Sequence, residues 1–364
     1  MEAVTALYSE GDQELAEAIV SSLGRAVFSK ERVAPAGSIL QVMASVTYHI
    51  LKWTTTRRSG GEVASFHNPI LEISKHPYAK TLLASTRKEA EALVEGGDPM
   101  NGPYMMLSPE IQKAGTAWDK TFFDSVQSRD VQCRFIWETR ATYEAATRRL
   151  AKGDTVRMKA LAAGTGLSMI LAYDRIVRDG FDPSKISVRI TDRDPTNTDK
   201  TRRLLAKLDS TRERASESEE DGSISAATED IFESGPVAGE AWGPKHDLVT
   251  AVGILEYLQG FTCDTTERRM KLDERHETAT AVHLATRLDE MTAAHASLIV
   301  NTYRPHASVR ILELFGKKFD YRDRENLSAL MATANFRAAH LVGSGNIYDV
   351  EVYEKCPPGS TDHT

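Results

Sequence analysis

Cysteine is scarce in this chain. There are three in 364 residues, Cys133, Cys263 and Cys356, far apart and odd in number. That pattern excludes a disulfide framework and suits a reducing compartment, so the expected location is the cytoplasm. Spacings of the CxxC or HExxH kind are missing as well, and no metal is expected. No run approaches the roughly 20 apolar residues that span a bilayer. The opening stretch MEAVTALYSEGDQELAEAIV is acidic and has no basic segment leading into an apolar one, so neither export nor a membrane is expected. An excess of positive charge is lacking too: 45 Lys and Arg stand against 52 Asp and Glu, a formal net charge of -7. A partner held mainly through phosphates needs a basic face, which argues against nucleic acid. What is present, 41% hydrophobic and 27% charged residues with ordinary glycine and proline, describes a soluble globular chain. Its length suits one large domain, or a core domain with a smaller one attached.

Strand-like runs are what the first 150 residues lack. Ser9 can cap a helix in which Leu15, Ile19 and Leu23 share a face, with Gly24 as its stop. Further helices are expected over 38–53, over 79–94, and from Ser108-Pro109-Glu110 through Ile111, Ala114, Trp118 and Phe122. A last one covers 131–150 and carries FIWETRATYEAATRRL. Residues 1–150 therefore read as a helical domain that covers a substrate site.

Beyond residue 154 the period changes. Strand candidates at 156–163, 187–192, 223–230, 246–253 and 296–303 alternate with helices at 167–180, 198–208, 265–292 and 326–336. AAHLVGSGNIYDVEVYE, 338–354, reads as two strands around a Gly-Ser-Gly-Asn turn. Alternation of this kind gives an α/β fold. The expected form is a Rossmann-like, mostly parallel seven-stranded sheet over 151–357, closed by an antiparallel hairpin at its edge, with a short tail at 358–364. DSTRERASESEEDGS, 209–223, is expected to be a solvated loop.

In such a sheet, ligands bind beyond the C-terminal strand ends where strand order reverses. The turn LAAGTGLSMI, 161–170, is the place to look. Gly164 and Gly166 remove Cβ atoms, letting a ligand reach the backbone and the first amides of the next helix. The second strand ends in Asp192, a carboxylate placed to accept ribose hydroxyls. After the third strand come Glu229, Asp230 and Ile231, where a carboxylate and an amide can read an adenine edge. The fourth ends in Ala251-Val252-Gly253, small enough for a nucleoside to lie against the backbone.

In this order AAGTG, ITDRDP, ATEDIF and HDLVTAVGILEYL resemble the class I S-adenosylmethionine-dependent methyltransferases over about residues 131–355. The resemblance implies that Ala163, Gly164, Thr165 and Gly166 hold the methionine part of S-adenosyl-L-methionine and Asp192 its ribose. It assigns the adenine to Glu229, Asp230 and Ile231, and the wall beside the sulfonium to the stretch containing Ala251 and Gly253. The chain departs from the pattern at Ala160 and Ala162, where an acid and a glycine usually stand. The acid normally lies near the cofactor's amino group, so the methionine tail is expected to fall to Arg134, Arg140 or Tyr143 of the preceding helix. Groups after strands four and five line the acceptor side: Tyr257, Asn301 and Tyr303 are the catalytic candidates, with Glu256 and His306 beside them. Tyr173 reads as core.

The leading expectation is a methyltransferase acting on a small molecule. A second is a cyclase that forms azetidine-2-carboxylate and releases methylthioadenosine. There the cofactor's own amine attacks, and the missing acid at position 160 favours its neutral form. A third is a non-catalytic nucleotide-binding protein. The sequence is silent on oligomeric state, and a homodimer is compatible with it.

Overall fold

The computed structural model describes residues 13–29, 124–213, 222–232, 244–258, 281–314 and 319–357, with short pieces at 34–37, 39, 41–43, 45–46, 49, 107–108 and 215–216. The helices expected over 79–94 and 108–122 lie outside the described residues, as do most of 38–53 and the first part of 265–292.

Eight strands form one sheet: β1 (Val156–Ala160), β2 (Ile186–Asp192), β3 (Ala215–Ser216), β4 (Ile224–Thr228), β5 (His246–Ala251), β6 (Thr292–Asn301), β7 (Phe336–Ser344) and β8 (Asp349–Lys355). Their order is β3-β4-β2-β1-β5-β6-β8-β7. Seven of them are the strands of the expected Rossmann-like sheet; β3 adds two residues at one edge, inside the stretch expected to be loop. All pairings are parallel except those of β8, which runs antiparallel to both β6 and β7. The hairpin closes this edge of the sheet as expected, with β8 interior and β7 outermost. Burial agrees, for Asp349 to Tyr353 are all buried whereas Arg337 to Leu341 are exposed. Two register shifts in β7, after Ala338 and after Leu341, break the regular ladder that a bare edge would offer to another strand.

Strand residues alternate between two apolar layers. Met158, Ala160, Leu248, Ile299 and Val352 face the first. That layer is covered by α1 (Gln13–Phe28), α2 (Val126–Leu150) and α3 (Leu167–Arg178). Val249, Ala251, Leu298, Val300 and Tyr353 face the second. Across them lie α5 (Ala281–Met291) and α7 (Arg324–Ala332), while α4 (Pro195–Leu205) packs beside β2 and β4 and α6 (Ala307–Leu314) follows β6. Tyr173 is fully buried in the first layer.

Helix α1 passes the expected stop at Gly24. Ala16, Ile19, Val20, Leu23 and Val27 are all buried at spacings of three and four, and burial of the last turn outweighs the roughly 1 kcal/mol that a mid-helix glycine costs. Helix α2 starts five residues earlier than expected because Ser125 caps it, accepting from the Ser128 amide. Asp194 caps α4 in the same way, with Pro195 in the first turn.

The sheet order reverses between β1 and β5. From β1 the chain adds β2 on one side, and β5 then begins the other. The ends of these two strands, Ala160 and Ala251, open the crevice where a ligand belongs.

Candidate active site

The loop after β1 is built to one shape. Ala162, Gly164 and Gly166 all have positive φ, at 47°, 56° and 63°. Three left-handed residues at alternate positions coil the chain tightly between strand and helix. Neighbouring strands pin the coil: the Leu161 amide donates to the Thr250 carbonyl at 2.9 Å and the Ala163 amide to the Thr191 carbonyl at 3.0 Å. A Cβ on Gly166 would run into the side chain of Ile190, so that glycine is required by space as well as by dihedral. Gly166 is also the cap of α3 and has no side chain to occupy the first-turn amides. Ala162, where the resemblance puts a glycine, keeps the glycine conformation without being one.

Asp192 completes the cradle. Its Oδ2 accepts the Gly164 amide at 2.8 Å, and its Oδ1 accepts from the Asp194 amide at 2.9 Å and the Asn197 side chain at 3.3 Å. A carboxylate has about four acceptor sites. Three are taken, which leaves room for one incoming hydroxyl, on Oδ2, rather than two.

The residues after β4 divide. Glu229 does not turn its carboxylate to the crevice: Lys159 on β1 donates to it at 2.7 Å and Arg189 on β2 lies 3.6 Å away. This corrects its expected place beside an adenine, because a carboxylate already neutralised by two cations is a poor reader of a base edge. Asp230 accepts the Phe232 amide at 2.9 Å, and Ile231 is buried in the second layer.

Helix α2 runs along the first face of the sheet, and its N-terminal half brings two charged side chains toward the strand ends. Arg134 is buried, donates to Glu256 Oε1 at 3.0 Å, and lies 4.5 Å from the ring centre of Tyr348. It fills the space over Gly253, where a Cβ would stand 3.2 Å from the guanidinium; φ there is 86°. One turn further along, Glu138 accepts from Ser168 Oγ at 2.8 Å. Its pKa is raised to about 7: burial dominates, opposed by hydrogen bonds from Ser168 and Thr250 and by the charge of Arg134. Neither of the other tail candidates reaches this end. Arg140 donates to the carbonyls of Val27 and Ser29 at the end of α1. Tyr143 donates to Asp179, just past the last residue of α3. Asp179 lies thirteen residues from Gly166, roughly 20 Å along the helix, so Tyr143 is corrected from a ligand-binding position to a tie between helix ends.

The three catalytic candidates fare unequally. Asn301 accepts the Gly253 amide at 2.7 Å and donates to the Thr302 carbonyl at 2.8 Å; it clamps the β5 loop. Tyr303 is 2% exposed, packed among Phe319, Tyr321 and Tyr348. Burial, followed by the charges nearby, pushes its hydroxyl far above the usual range, which removes it from proton transfer near neutrality. Tyr257 is 51% exposed, its ring tilted against Phe319, and it alone of the three is exposed. Glu256 is held by Arg134, in a turn whose carbonyls, Leu255 and Leu258, accept from the buried Arg322. His306 is paired with Ser308 at the start of α6.

Comparison with known proteins adds little. No protein-family model and no curated protein matches the chain. Among solved structures, the CurJ carbon methyltransferase is 12% identical, covering 98% of this chain and 96% of that one, with a TM-score of 0.46. A possible exported protein from Bordetella parapertussis is 13% identical over 86% and 97%, at 0.45. Magnesium protoporphyrin IX methyltransferase from Synechocystis PCC 6803, solved with S-adenosylhomocysteine, is 11% identical over 62% and 86%, at 0.40. Likenesses this distant carry no weight for the site, whose character rests on its own geometry.

Glu138, Ser168, Thr250 and Arg322 are the site residues that motif reading misses. A signal for the first exists. Val131, Arg134, Phe135, Glu138, Thr142 and Ala145 recur at three and four, so the two charges fall on the buried stripe of an otherwise apolar face.

Proposed function

We propose that this chain is an S-adenosylmethionine-dependent enzyme, and within that class a methyltransferase acting on a small molecule. One observation carries the reading: a loop of three alternate left-handed residues, pinned to Asp192 at the point where strand order reverses. The residues fit the ligand. Gly164 puts no side chain over the loop, Asp192 keeps one acceptor site for a ribose hydroxyl, and Asp230 with the Ile231 amide suits an adenine edge. Arg134 and Glu256, paired beside Gly253, close this end of the crevice.

When bound, the ligand supplies an electrophilic methyl group on a sulfonium. The chain's part is chiefly positioning, since an in-line displacement gains most from alignment. Asn301 fixes the β5 loop, Tyr303 and Tyr348 support Arg134 and Glu256 from behind, and Tyr257 faces the acceptor.

The test is incubation of the purified protein with S-adenosylmethionine, alone and with a panel of small acceptors, followed by mass spectrometry. S-adenosylhomocysteine formed only with an acceptor is the expected result. Methylthioadenosine with a cyclic amino acid, and no acceptor added, establishes the cyclase instead; binding without either product establishes a non-catalytic protein. Unchanged affinity in Asp192→Ala overturns the ribose assignment.

A further inference from the structure

The acid missing from the end of β1 has a counterpart on a different element. Ala160 is the register partner of Thr250 across the β1–β5 pair. Both side chains point into the first layer, beneath α2 and α3, and Ala160 is 1% exposed. The Thr250 side chain hydrogen-bonds Glu138, and Ser168, two residues after the last glycine of the loop, bonds it from the other side. Glu138 thus occupies the space above the Ala160–Thr250 pair. An acid at position 160 would press a second carboxyl against it, and the methyl of Ala160 leaves the room it needs.

Around this carboxyl the charges are uneven. Arg134, one turn back on α2, is committed to Glu256. Glu138 has two hydroxyl donors and no cation of its own in direct contact among the described residues. A buried carboxyl so placed is held back from ionising for want of a positive partner. A carboxyl held by two hydroxyls beside the first turn after a glycine loop, with no cation in contact, matches the ammonium charge of an α-amino acid.

We propose that Glu138, oriented by Ser168 and Thr250, is the binding residue for the ammonium group of the ligand's amino-acid end, in the place that Ala160 vacates. The inference rests on the cofactor reading above and assigns a residue to it that motif reading does not. It also bears on cyclisation, because a carboxylate in this place holds the amine in its charged, unreactive form.

The test compares two nucleosides by isothermal titration: S-adenosylhomocysteine, which carries the amino-acid end, and methylthioadenosine, which lacks it. Glu138→Gln, which keeps the shape and the Ser168 bond, is expected to lose about tenfold or more in affinity for the first and to hold the second within about twofold. Glu138→Asp, which keeps the charge, is expected to retain most of the preference. Should Glu138→Gln not fold, Ser168→Ala carries the same comparison with a smaller loss, about three- to fivefold. Equal loss for both nucleosides, or none for either, overturns the inference. Wild-type protein that binds both equally overturns it too and leaves the cofactor reading standing. Wild-type protein that binds neither overturns both.

Discussion

Ala162 and Gly166 occupy the same kind of backbone well and answer differently to substitution. A non-glycine residue at a left-handed φ carries about 1–2 kcal/mol of strain. Ala162→Gly relieves it but returns roughly 0.4–1 kcal/mol of freedom to the unfolded chain. The expected net is a gain of up to about 1 kcal/mol in urea unfolding. Gly166→Ala has no such offset. It takes on the strain and drives its methyl into Ile190, for an expected loss above about 2 kcal/mol. If the two variants shift stability in the same direction, the conformation assigned to the loop is wrong.

Among the elements, α2 does most to join the crevice to the rest of the fold. Asp130 near its start accepts the Ile347 amide at 2.5 Å and the Asn346 side chain at 3.1 Å, in the turn between β7 and β8. Arg134 then ties it to the β5 loop, through a pair whose side chains are 4% and 3% exposed. Breaking such a pair from one side strands a buried charge at about 3–5 kcal/mol, whereas replacing both partners with apolar groups costs far less. Arg134→Met and Glu256→Leu are therefore each expected to destabilise by about that amount, and the double variant by less than either alone. Additive losses in the double-mutant cycle would show that the pair is not coupled. The sequence makes much of this element visible: the helical period of 131–150 is plain, as are most strands of the sheet, whose alternation follows directly from burial of one face per layer. Three things escape it. Ser125 extends α2 because capping outranks the polar character of its first turn. Glu229 is paired away because Lys159 and Arg189 are brought beside it by strand register, which one-dimensional spacing does not encode. Glu138 enters the site because α2 packs on the face of the sheet over Ala160 and Thr250, a tertiary fact. Motifs on the strand ends are legible; what neighbouring elements bring to those ends is not.

Across the whole molecule, two buried groups near opposite ends of β5 set opposite pH dependences. Glu138 has its folded pKa raised from 4.5 to about 7. Its contribution is complete below 4.5 and is lost as pH rises toward 7. His246, at the start of β5, has its folded pKa lowered from 6.5 to about 3 by burial and then by the charges of Lys159, Arg157 and Arg189. Its contribution is complete above 6.5 and is lost as pH falls toward 3. Each group alone gives a slope of about 1.4 kcal/mol per pH unit where its folded and unfolded forms differ by one proton. Between about pH 4.5 and 6.5 the slopes cancel, and below 4.5 only His246 acts. Urea unfolding across this range separates them by variant. Glu138→Gln is expected to raise stability at pH 8 and to bring the onset of acid loss up from about 4.5 to about 6.5. His246→Gln is expected to do the reverse, gaining stability as pH falls from 7 to 4.5. Parallel profiles for wild type and Glu138→Gln would mean that the carboxyl is ionised throughout. The stabilisation of Glu138→Gln at pH 8 should then come with the loss of discrimination for the amino-acid end of the nucleoside. That joint outcome separates a carboxyl kept buried for binding from one that merely packs.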